Sequence, residues 1–210
     1  LLADGRVQGQ SQTLQTGFFE QASRQRFFNQ QNKAQDRVVQ DILSMHKESG
    51  TGSMTHPTPR DFDSAWQIVS RFELDPVVNV QSLSAMQVPV GLTPGRFQGL
   101  AQVSVSGERR YPKGCGSSMH DERIEITLPK LVRLVRLPTP RSYESAVLRY
   151  RSNYTQEGGR VIVTRHFVAQ RPSPVCDSSD DQDWEAFGRV IRQDLRQQVF
   201  FEGPEAQSTP

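Results

Sequence analysis

The stretch Ala146-Val147-Leu148-Arg149-Tyr150-Arg151-Ser152-Asn153-Tyr154 alternates without a break. In an extended chain Ala146, Leu148, Tyr150, Ser152 and Tyr154 fall on one side, and Val147, Arg149, Arg151 and Asn153 on the other. Glu157-Gly158-Gly159 supplies a turn, and Val161, Val163 and Phe167 return with the same period. The reading is a long antiparallel hairpin with core tyrosines inside and a solvated arginine face outside. The same alternation argues against a stacking platform for single-stranded nucleic acid, because it places the tyrosines and the arginines on opposite faces.

Working outward, Ile124, Ile126 and Leu128 alternate with Arg123, Glu125 and Thr127, and Val103 and Val105 keep a similar period. Leu131 to Leu137 holds Val132, Leu134, Val135 and Leu137 on one apolar face only if a bulge falls near Leu134. Downstream of the hairpin, a Pro-rich loop at Arg171 to Pro174 precedes a helix expected from about Gln182 to Phe200, with Trp184, Phe187, Ile191 and Leu195 on one side. The acidic run Asp177 to Asp183 and the later Arg192 and Arg196 complement the dipole of such a helix. That run lacks the ordered ligand spacing and central glycine of an EF-hand.

In the first half, Leu1 to Thr16 reads as a strand or hairpin ending near Gly17. Its opening residues look like a strand already under way, so the chain is expected to be a piece of a longer polypeptide, with any targeting signal upstream. Two helices follow, Phe18 to Phe28 and Asn32 to Lys47, the second with Val38, Val39, Ile42, Leu43 and His46 on one face. Glu48 to Ser53 ends it and Pro57 and Pro59 prevent its restart, so a linker is expected there. Phe62 to Leu74 favours a strand, and Val77 to Gly99 reads as short extended pieces and loops that suit a helix poorly. The fold class is therefore α+β, mainly β: an antiparallel β-sandwich-like domain over 57–210 with a C-terminal helix, and a strand or hairpin plus an inserted helical pair over 1–56.

No run approaches the roughly 18 apolar residues of a membrane-spanning helix. The net charge of +2 conceals an asymmetry: residues 108–171 carry thirteen basic against six acidic side chains, and residues 172–210 three against eight. An anionic-polymer patch is one reading of the basic middle. Mutual attraction of two halves of one domain is the simpler one, because the arginines are spaced along strands; nucleic acid is not the expected partner.

The two cysteines, Cys115 and Cys176, sit in turn-like settings and lack Cys-x-x-Cys spacing. They are either two unrelated thiols or one bridge, which would close a loop of roughly 60 residues and contribute up to about 4 kcal/mol. Cys115 with His120 or His166 would be the ingredients of a cysteine hydrolase or transferase, but Gly114-Cys115-Gly116 leads into a strand and not a helix N-terminus. His46, His56 and His166 fall at no ligand spacing and read as structural or surface residues; an acid–base role for His166 would need a carboxylate that no local signal selects. Phosphate loops, nucleophile elbows and His-Glu-x-x-His are absent, and no catalytic, cofactor or metal residue is assigned.

Several short blocks carry a family resemblance: Tyr111-Pro112-Lys113-Gly114-Cys115, Glu122 to Pro129, Leu137-Pro138, Tyr150 to Tyr154, Val175-Cys176, and Asp194 to Val199. Together with Asp4-Gly5-Arg6 to Gly17 they resemble the C-terminal region of bacterial exported transglutaminase-like proteins, which carry an N-terminal domain of unknown function, a papain-like core and a β-rich tail. The resemblance implies that a catalytic Cys, His and Asp would lie in a core upstream of Leu1, and that this core is the partner of the chain. It also implies export to the periplasm or cell envelope, which favours a Cys115–Cys176 bridge. The expected role is then a non-catalytic accessory or interaction domain.

Overall fold

The structure is a computed structural model and describes residues 1–92, 96–102, 111–178 and 180–207. The strand expected around Val103 and Val105 lies outside them. The described chain is α+β and mainly β, and every pairing between described strands is antiparallel. It divides into two units, residues 1–79 with 89–95, and residues 80–88 with 96–210.

The first unit contains β1 (Val7–Leu14), α1 (Gly17–Gln30), α2 (Gln35–Met45), β2 (Gly50–Thr55) and β3 (Gln67–Leu74). Its sheet has the order β1-β3-β2, so β1 finds its partner within the chain. Within the expected linker at Glu48 to Ser53, Gly50 to Ser53 instead start β2, because cross-strand pairing to β3 overrides the turn propensity of Gly50 and Gly52. The break expected after His56 thus falls between two paired strands of one unit. As its spacing predicts, α2 buries Val38, Val39, Ile42 and Leu43 against Val7, Met54, Leu74 and Leu92.

α1 lacks the buried apolar stripe of α2. Phe18 is exposed, and the buried residue of the helix is Arg24. Its guanidinium donates to the carbonyls of Asp61 and Ser64, both at 2.7 Å, pairs with Glu20, and lies over the rings of Phe62 and Trp66. A buried cation with this many acceptors pins the loop before β3 onto the helix. The Phe72 ring occupies space that only Gly9 and Gly91 leave open: a Cβ on Gly91, which also has φ +63°, would lie 2.3 Å from it.

The second unit comprises β4 (Leu83–Gln87), α3 (Arg96–Ala101), β5 (Lys113–Gly114), β6 (Ser118–Thr127), β7 (Arg133–Arg136), β8 (Ser142–Glu144), β9 (Leu148–Glu157), β10 (Arg160–Ala169), β11 (Val175–Cys176), α4 (Asp180–Leu195), β12 (Gln198–Glu202) and α5 (Pro204–Gln207). The hairpin of β9 and β10 turns at Gly158-Gly159 as read, and forms the centre of a sheet of order β6-β10-β9-β8. Its inner face packs Leu148, Tyr150, Phe167 and Ala169 against Phe187 and Ile191 of α4 and Phe97 and Leu100 of α3. α3 corrects the expectation that Val77 to Gly99 lacks a helix; its Phe97 and Leu100 are buried at helical spacing.

The expected C-terminal helix stops at Leu195, and Val199 to Phe201 belong to β12. Val199 and Phe201 are buried while Phe200 is not, the two-residue rhythm of a strand. β12 lies between β4 and β7, and opposite Phe200 and Phe201 the β7 partners are Arg136 and Leu134, which leaves Val135 as the extra residue of a bulge. The bulge falls where it was expected, but it turns Val135 outward.

Candidate functional site

Strand register gives the four-stranded sheet two chemically different faces. On the inner face the row Ser152, Arg165, Glu122 crosses three strands, next to the row Tyr150, Phe167, His120. Arg165 stands where the alternation calls for an apolar residue, and α4 answers with Asp194. Arg165 Nε donates to Asp194 Oδ2 at 2.9 Å and Nη1 to Glu122 Oε2 at 2.5 Å. Asp194 also accepts from Tyr150 Oη, Ser152 Oγ and Gln197 Nε2. Burial by itself would pull the Arg165 guanidinium down, but Glu122, Tyr154 and Asp194 outweigh it and hold the group above its ordinary value. Burial and the Asp194 charge push Tyr150 up, and burial raises Tyr154 to about 12, so both phenols stay neutral, Tyr150 donating to Asp194 and Tyr154 accepting from Arg165 Nη2 at 3.3 Å. The cluster is closed and internally satisfied, which makes it a strut between sheet and helix.

Facing Phe167 in parallel, with ring centroids 5.8 Å apart, is His120. Burial, with a contribution from Arg96, lowers it to about 4, so it is neutral at physiological pH. At the edge of the core, Tyr143 donates to Asp183 of α4 and is raised to about 12 by burial and by that carboxylate.

The outer face carries the row Ser142, Arg151, His166, Asp121, one residue from each strand, and beside it the row Asn153, Thr164, Arg123. These rows floor an open depression of about 870 Å³, lined by residues 121–123, 140–144, 151–153 and 164–166. Within it His166 Nδ1 meets Asp121 Oδ1 at 2.6 Å. A carboxylate on one ring nitrogen fixes the tautomer and orientation of an imidazole, the geometry used by general acids and bases. Here both partners are about half exposed and the neighbour on the other side is Arg151. Sequence left His166 without a carboxylate; register of β10 on β6 identifies it as Asp121.

Cys115 and Cys176 are bridged, with Cα atoms 5.7 Å apart, across the short ladder of β5 and β11. Cys115 is thereby removed from any pairing as a thiolate with His120 or His166. His56 packs on the rings of Phe27 and Trp66 and meets the carbonyl of Pro57, and His46 follows α2 at its C-terminus. Among the described residues, no three His, Cys, Asp or Glu side chains converge as a metal set, and no helix is long and apolar enough to cross a membrane. Compared with protein-family models, with curated proteins and with solved structures, the chain matches none.

Proposed function

We propose that this chain is a non-catalytic accessory or interaction domain of a transglutaminase-like cell-envelope protein, packed on, or presenting partners to, the core of the same polypeptide. The observation that carries this reading is the Cys115–Cys176 bridge. It consumes the thiol that a cysteine hydrolase or transferase would use, and it suits an oxidising compartment, of which the proposed periplasm or cell envelope is one. The two-faced sheet adds support: its inner polar groups bond to one another, and its outer groups line an open surface.

The test is incubation of the chain with amide and thioester probes, as isolated and after reduction. No turnover is expected in either state. Turnover abolished by Cys115→Ala would overturn the proposal, as would two free thiols on alkylation under non-reducing denaturation.

A further inference from the structure

The β8–β9 end of the outer sheet face holds more positive charge than its own carboxylates balance. Arg141 lines the depression just before β8, and Arg151 and Arg149 stand opposite Ser142 and Glu144 of β8, whose carboxylate is Glu144. Arg151 reaches it only at 3.8 Å, with both side chains more than 60% exposed (75% and 65%). Arg149 meets an uncharged amide, Gln170 Oε1, at 3.4 Å. No described group accepts a hydrogen bond from the side chain of Arg141, whose backbone holds Ser152. At the β6 end the charges are engaged: Arg123 and Arg160 share Glu125, and Asp121 holds His166.

Spacing restricts what would neutralise the surplus. Arg149 and Arg151 project from one face of β9 two residues apart, about 7 Å along the strand. Side chains at alternate positions of an extended peptide have that same repeat. Asn153 continues the file at the next such position, and with Thr164 offers neutral hydrogen-bonding groups beside the charges. The floor is thus basic at one end, polar at the other, and open along its length.

We infer that the outer face of the four-stranded sheet binds an extended, carboxylate-bearing peptide segment of a protein partner, its alternate acidic side chains held by Arg149 and Arg151, with Arg141 at the rim. The inference rests on the reading of the chain as an interaction domain and names the chemistry of the partner. Exposed ion pairs are individually weak, so affinity is modest, comes from several pairs together, and falls with salt.

The test uses a fluorescein-labelled Ser-Glu-Ser-Glu-Ser-Glu-Ser peptide and fluorescence anisotropy at low ionic strength with the full chain. Arg149→Ala/Arg151→Ala is expected to weaken binding by about tenfold, near the summed worth of two or three exposed pairs. Arg26→Ala/Arg37→Ala, which removes equal charge from exposed sites on α1 and α2, is expected to change it less than twofold. Replacing each Glu of the peptide with Gln abolishes binding. Absent binding, equal loss in the two double variants, undiminished binding of the Gln peptide, or tighter binding of a single-stranded oligonucleotide of equal charge through the same arginines would each overturn the inference. Probe turnover by the same preparation would strike the accessory-domain reading, whereas loss of peptide binding without turnover strikes only this surface.

Discussion

Breaking the Cys115–Cys176 bridge is expected to destabilise the second unit by about 4 kcal/mol. The cysteines are 61 residues apart in sequence. Closing a loop of that length removes about 14 cal/mol/K from the unfolded chain, or about 4.3 kcal/mol at 25 °C. With an unfolding entropy of about 2.1 cal/mol/K per residue over the residues of this unit, the midpoint falls by roughly 15 °C. The loop encloses β6 to β10, so the effect is read most directly by hydrogen exchange in the hairpin of β9 and β10. Amides there that exchange by opening of the whole unit accelerate by roughly a thousandfold, at about 1.4 kcal/mol per factor of ten. Cys115→Ala/Cys176→Ala and reduced wild type agree with one another if the loop is the cause, since Cys176 is buried and the substitution alone removes little volume. A midpoint within 3 °C of the oxidised protein, with unchanged exchange in 148–169, would refute the loop-entropy account.

Three other perturbations test the physical arguments above. Asp194→Ala leaves Arg165 Nε and two buried hydroxyls without their acceptor while Glu122 still pairs with the cation, and costs about 3 kcal/mol in urea unfolding, whereas the same change in an Arg165→Met background costs less, because no buried cation remains. Arg24→Ala loses the two short bonds to the carbonyls of Asp61 and Ser64 and costs about 3 kcal/mol, read by faster exchange in residues 61–66. His120 has a folded-state value near 4, below its ordinary 6.5, so the unfolded chain binds the proton more readily. Its contribution is present above pH 6.5 and is lost as the pH falls towards 4, by on the order of 1–2 kcal/mol after allowing for its partial exposure; His120→Phe should flatten that segment of the stability–pH curve.

Much of the architecture was legible because it is local. The β9–β10 hairpin, the α2 stripe and the acidic start of α4 each follow from a period or a charge gradient contained in a dozen residues. What escaped the sequence depends on distant partners. Gly50 to Ser53 is a strand only because β3 lies beside it, and Val199 to Phe201 leave the helix because β4 and β7 accept them. Of the polar residues, Arg165 appears in sequence as a break in a hydrophobic alternation, whereas Arg24 lies in a helix with no regular apolar stripe to interrupt. Their acceptors, such as the carbonyls of Asp61 and Ser64 or the carboxylate of Asp194, are reached over 29 to 40 residues. For Arg165 a charged residue at an inward position of an otherwise regular strand was the available signal, and it indicates a buried partner without naming it.

The order in which the chain visits its two units has a consequence for synthesis. Residues 80–88 supply β4 to the second unit, after which residues 89–95 return to the first, where the carboxylate of Glu48 accepts from the amides of Val90 and Gly91 at 2.8 Å. A ribosome or export channel that delivers the chain from its N-terminus therefore releases β4 before the first unit has its last segment, and β4 then waits for β12, more than a hundred residues later. A truncation at Asn79 would leave Glu48 without either amide, and separating the units cleanly calls for a rejoined chain in which 89–95 follows 79 directly.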